Sequence, residues 1–93
     1  LPFGNVNQLQ QFGRQLLAAK KPQAALEVFQ FNHTKNPNQF TTLMGMARGL
    51  SANGEYAKAL EFANKALPLA PNDSGKQAVQ AMIEKLKAGR DIN

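Results

Sequence analysis

The chain has no cysteine among its 93 residues. That excludes a disulfide framework and a thiolate nucleophile, while remaining compatible with a reducing or an oxidising compartment. Its one histidine, His33, has no acidic residue within a helical turn, so no set of His, Cys, Asp or Glu has metal-ligand spacing, and His33 is expected at a surface or a helix end. No apolar run approaches the roughly 18–20 residues that span a bilayer, and the amino terminus lacks the charged, apolar and small-residue regions of a signal peptide. Membrane insertion is therefore not expected. Ser51, Ser74, Thr34, Thr41 and Thr42 lie far in sequence from any plausible base and orienting acid, and the seven glycines form no phosphate-cradling pattern. The sequence predicts no catalytic residue, no metal and no cofactor. The first residue is Leu1 rather than methionine, which predicts an excised or processed piece of a longer protein.

Acidic residues are also scarce, six against eleven Lys and Arg, for a net charge of +5. The basic residues are scattered: Lys20 and Lys21 in a turn, Lys58 and Lys65 along one helix, Lys76, Lys85, Lys87 and Arg90 towards the end, with acids between them. A nucleic-acid footprint needs a basic stripe, so nucleic acid is disfavoured as a partner; if bound, it would show steep salt dependence. A chain of this length makes one small domain that buries only roughly 60–65% of its unfolded surface.

What the chain does have is a pattern repeated 34 residues apart: Val6 to Gln39 overlays Phe40 to Asp73 without a gap. Leu9, Phe12, Gly13, Leu16, Ala25, Phe29 and Pro37 recur as Leu43, Met46, Ala47, Leu50, Ala59, Ala63 and Pro71. A fixed period of this length is the signature of a helix-turn-helix array. Leu9, Phe12 and Leu16, then Leu26 and Phe29, recur at three- and four-residue steps, giving two amphipathic helices about a break at Lys20-Lys21-Pro22. Pro22 suits the first turn of the second helix. The second copy turns at Asn53-Gly54 and should hold helices over about 40–52 and 55–68. Small residues at Gly13 and Ala47 are expected to face Ala25 and Ala59 and bring the paired helices close.

After Asp73 the register fails. Moving it by two residues, as if Ser74-Gly75 were inserted, sets Val79, Met82, Ile83 and Leu86 where Leu43, Met46, Ala47 and Leu50 stand, which predicts a capping helix with a polar outer face and a fraying tail from Gly89 to Asn93. At the other end Leu1, Phe3 and Val6 either fold back over the first hairpin or form a junction with a preceding domain, whose loss would expose an edge able to pair two chains. Asn32 is expected to hydrogen-bond to backbone in the turn towards the second hairpin. Gly45 and Gly49 cost a helix about 1 kcal/mol each and suggest close approach of another chain or segment.

These copies resemble tetratricopeptide repeats, whose units are antiparallel helix pairs with large, small and proline residues at these positions. The resemblance implies an all-α fold of two hairpins and a capping helix in a right-handed superhelical stack: one domain over 1–93, with repeats at 6–39 and 40–73 and a cap at 74–89. It implies a non-catalytic module that binds a protein or peptide, or its own parent domain, in a concave groove; the alternative is a structural module that self-associates through the amino-terminal edge or stabilises a neighbouring domain. Position by position the groove would hold Asn7, Gln10, Gln11 and Arg14, then Thr41, Met44, Arg48 and Ser51, and from the cap Gln77, Gln80 and Glu84. Arg14 and Arg48 share one position in successive copies, which sets two planar donors for a carboxylate, unless Glu84 neutralises Arg48 in a structural ladder. The Lys and Asn set with which some of these repeats grip chaperone tails is not reproduced. A looser similarity, the Phe-x-x-Asn of Phe29 to Asn32, is to carboxy-terminal appendages of bacterial exported proteins, and it tilts the expected compartment towards the periplasm.

Overall fold

The computed structural model describes residues 4–93; the expectations placed on Leu1 and Phe3 lie outside the described residues. Helix α1, Val6–Ala18, starts from a reciprocal cap. Asn5 Oδ1 accepts from the Gln8 N–H at 2.8 Å, and Gln8 Oε1 accepts from the Asn5 N–H at 2.9 Å, which satisfies two of the donors that a helix start leaves without partners. Pro22 opens α2, Pro22–Lys35. Helix α3 spans Phe40–Ala52 and α4 spans Tyr56–Ala66, where the chain tightens into a 3-10 turn over Leu67–Leu69 that contains Pro68. Asn72 caps α5, Asp73–Lys87, by accepting from the Gly75 N–H at 2.7 Å.

The two hairpin turns are chemically unequal. Gly54 turns at φ 80° and Lys20, 34 residues earlier, at φ 61°. Glycine enters the left-handed region freely, whereas an L-residue there costs roughly 1–2 kcal/mol. The first turn is thus held by its neighbours: Lys20 N–H donates to Leu17 O and Lys21 N–H to Leu16 O.

Helices α1 and α2 pair as one hairpin, α3 and α4 as the next; α2 packs on α3, and α5 packs on α4. The centre of the stack is Phe29, fully buried. A β-carbon added to Gly13, Gly45 or Gly49 would run into its ring, and at Gly49 it would also stand 3.2 Å from the Leu26 backbone. The close approach suggested by Gly45 and Gly49 is therefore made by α2 of the same chain. Gly13, expected to admit the small face of Ala25, instead admits an aromatic ring. Ala25, Ala47, Ala59, Ala63 and Ala66 are fully buried, and Leu43, Met46, Leu50, Val79, Ile83 and Leu86 complete the core.

Polar side chains stitch the hairpins at their ends. Asn32, with no exposed surface, donates through Nδ2 to Val6 O at 3.0 Å and accepts from Asn36 Nδ2 at 3.0 Å. Its backbone partner lies at the start of α1 rather than in the turn ahead, where the sequence suggested it; the turn is met only through the Asn36 side chain. Asn53 Nδ2 donates to Pro22 O at 2.9 Å and to Gly49 O at 2.7 Å, joining the end of α3 to the start of α2. Buried Thr42 fixes the inter-hairpin loop by donating to Asn36 O at 2.7 Å.

The tail does not fray. Past α5 the chain turns at Gly89, φ 70°, with Gly89 N–H on Leu86 O and Arg90 N–H on Lys85 O. Asp91 to Asn93 then return to α3, and Ile92 is buried in the core.

Candidate functional site

Three helices, α1, α3 and α5, line one groove of about 400 Å³. Asn7, Gln10 and Arg14 come from α1; Phe40, Thr41, Met44 and Arg48 from α3; Gly75, Ala78, Val79 and Met82 from α5. Asn7, Gln10, Arg14, Thr41, Met44 and Arg48, all predicted from the sequence, are thereby brought together. Gln11 stands beside them, in an adjoining depression along α1 that also includes Gln15 and Ala18.

The cap contributes different residues from those expected. Gln77, Gln80 and Glu84 are exposed and do not line the groove. Gly75, Ala78 and Met82 do, and each follows Thr41, Met44 and Arg48 by 34 residues. The unbroken period governs the groove face, while Val79, Ile83 and Leu86 face the core as the shifted register expected. One helix serves both demands because its core and groove stripes adjoin: Val79 belongs to both, and Met82, which lines the groove, also packs against the core. A sequence reading that allowed one register per helix chose the core and displaced the groove.

Glu84 pairs with Lys87 at 3.8 Å, three-quarters exposed, not with Arg48. Among the described residues neither Arg14 nor Arg48 makes a salt bridge, and no acidic residue lines the groove. Burial, and then the charge of Arg14, push the Arg48 guanidinium below its ordinary value. An arginine stays protonated under these conditions, so Arg48 carries its charge while partly withdrawn from water and close to the charge of Arg14. Met44, Val79, Ala78 and Met82 give the same groove an apolar floor. Gln10 Oε1 is buried without a hydrogen-bond partner and sits against Gly45, marking a thin polar seam between α1 and α3.

The groove is closed beyond Arg48 by the tail. Ser51, buried on α3 and expected in the groove, donates through Oγ to Asp91 Oδ1 at 2.6 Å and accepts from the Ile92 N–H at 3.0 Å. Asn93 Nδ2 donates to Arg48 O at 2.9 Å. Burial alone would raise the Asp91 carboxyl, but the bonds from Ser51, Asn93 and the Ile92 backbone outweigh it and hold it below the usual carboxylate value. A depressed carboxyl stabilises its contacts above the unfolded value of about 3.9 and loses them as pH falls through the lower folded value. The tail is therefore expected to stay docked at neutral pH and to release in acid below about pH 4. The protection of the Ile92 amide relative to its free exchange rate, high at neutral pH and lost in acid while α3 stays protected, checks this; protection unchanged to the point of global unfolding would refute it.

His33 lies near the end of α2, its ring edge-to-face with Phe62 at 5.6 Å between centroids, with Nε2 buried and unpartnered. Among the described residues no three His, Cys, Asp or Glu side chains gather into a metal-binding group, and no helix is long and apolar enough to cross a membrane. A second, apolar depression of about 410 Å³ lies on the outer face of the first hairpin between Leu9, Phe12, Leu16, Val28 and Phe31.

The helix pairs, their repeat and the concave face define a helical-repeat protein. The tetratricopeptide repeat family matches residues 16–83, and the chain belongs to it. Comparison with curated proteins and with solved structures finds no match.

Proposed function

We propose that this domain is a non-catalytic protein-interaction module whose concave groove holds an extended peptide by a carboxylate between Arg14 and Arg48. The family's general role in protein–protein contacts supports the class of function. The observation that carries the finer reading is the pair of arginines without acidic partners over an apolar floor. A guanidinium offers a planar fork to a carboxylate, and such charge-assisted bonds contribute about 1.5–3 kcal/mol. Arg48→Gln is thus expected to weaken binding of an acidic peptide with apolar flanks about 10- to 100-fold, and Arg14→Gln less, since Arg14 is exposed. Titration of an acidic peptide panel against its amide counterparts, by fluorescence anisotropy, reads this. Equal affinity for acid and amide forms would defeat the proposal.

The sequence and this surface also suit an accessory domain of a larger bacterial exported protein, with its parent as one source of the peptide. A second reading, self-association, is favoured by the apolar depression on the first hairpin, where Phe12 is 42% exposed.

A further inference from the structure

The tail contacts describe a binding site as well as a chain end. Three residues past the turn engage α3 through a hydroxyl, a backbone carbonyl and an apolar seat: Asp91 on Ser51 Oγ, Asn93 on Arg48 O, and Ile92 in the core. Within the tail, Asp91 Oδ1 also accepts from the Asn93 N–H at 3.1 Å and from its Nδ2 at 2.9 Å, so the aspartate shapes the segment that Asn93 presents. None of these contacts requires the preceding helix. Gly89, at positive φ and with nothing within 4 Å of where a β-carbon would stand, turns the chain out of α5 into this segment.

We propose that Ser51 and the Arg48 carbonyl form a subsite for an Asp-aliphatic-Asn segment of a peptide ligand, and that the chain's own Asp91-Ile92-Asn93 occupies it as an intramolecular competitor. The inference rests on reading the concave face as the binding face, and it gives the ligand a sequence and a direction. From Ser51 to Arg48 the tail runs one turn back along α3, antiparallel to that helix. A ligand docked the same way sends the residues after its asparagine past Arg48 towards Met44 and Thr41, along the lined groove. Its carboxylate for the two arginines therefore follows the Asp-aliphatic-Asn segment. Ser51, which can both donate and accept, reads the backbone and the aspartate together; Ile92 is buried with the hydrophobic core cluster, where a polar side chain without a partner would be penalised.

A tethered segment competes at an effective concentration of order millimolar, so a peptide in trans is excluded until the tail is dislodged. The test uses the full chain and a labelled Gly-Asp-Ile-Asn-Gly peptide amidated at its carboxy terminus, which carries no carboxylate after the asparagine. Ile92→Asp removes the apolar anchor from the tail. The peptide is expected to bind this variant at least 10-fold more tightly than the unaltered chain, and the gain is expected to vanish when Ser51→Ala is added. If Ile92→Asp fails to fold, Asp91→Ala dislodges the tail with a smaller expected gain. Equal binding to the unaltered chain and to a folded variant whose Ile92→Asp or Asp91→Ala tail amides exchange freely would overturn the subsite. Because this probe offers nothing to Arg14 and Arg48, its failure leaves the arginine reading standing. Failure of the acidic panel likewise leaves the subsite untouched.

Discussion

Phe29→Ala is expected to cost about 3–5 kcal/mol, the range for removing a buried aromatic ring without collapse around it. Collapse is obstructed because the ring is walled by Gly13 on α1 and by Gly45 and Gly49 on α3. A glycine has no side chain to swing into the space, so closing it means moving whole helix backbones. Native domains have a stability of about 5–15 kcal/mol, so the loss removes from about a fifth to all of it. Urea denaturation followed by helical circular dichroism measures it, and a loss below about 1 kcal/mol would contradict the central role of the ring. The converse change sharpens the argument. Gly13→Ala gains about 1 kcal/mol of helix propensity but forces a methyl into the ring, which costs about 1–3 kcal/mol, so net destabilisation is expected. Phe29→Leu should soften it, giving a double-mutant coupling of about 0.5–3 kcal/mol.

Most of this architecture is legible in the residues, and the parts that are not have a common cause. The 34-residue period, Pro22 at a helix start and Gly54 at a turn are local signals, each set by backbone geometry over a few residues. Gly45 and Gly49 were visible as costs to a helix, but only the packing of α2 on α3 reveals what each glycine admits. Helix α5 misleads for a different reason. Its apolar residues report the core side, whereas its groove side is made by Gly75 and Ala78, whose smallness leaves no hydrophobic signal. The tail is beyond periodicity altogether: a lone Ile92 among polar residues after Gly89 fits neither a helix nor a strand pattern. Ser51, a hydroxyl at a core-facing place in the last turn of α3, is the available hint that something polar returns there.

The groove and the tail belong to one surface because α3 supplies both. Arg48 contributes its guanidinium to the open part and its carbonyl to the Asn93 contact. In the binding mode proposed above, a ligand that displaces the tail would free the carbonyl of the residue whose side chain it also engages. Side-chain substitution at position 48 separates the two roles, since it removes the charge and leaves the carbonyl in place.

Asn32→Asp is expected to make the fold strongly dependent on pH. The amide at this fully buried position donates to Val6 O at 3.0 Å, and a carboxylate there would set one oxygen against another in a site without solvent. Burial and that repulsion raise the folded-state pKa of the new acid above its unfolded value of about 3.9. Stability is then fully present below about pH 3.9 and is lost as pH rises, by about 1.4 kcal/mol per unit until the folded value is reached. The acid can take up a proton, so the loss at pH 7 has a ceiling of about 4 kcal/mol. Protonated, it restores an O–H donor to Val6 O while still accepting from Asn36 Nδ2. Asn32→Ala loses both bonds at every pH, at a cost of about 1–3 kcal/mol, and supplies the control. The two stability curves, from urea melts across the range, are expected to cross: the Asn32→Asp variant above the alanine variant near pH 4 and below it at pH 7. Parallel curves would mean that the side chain at position 32 does not answer the carbonyl at the start of α1, and that another contact holds the first hairpin closed.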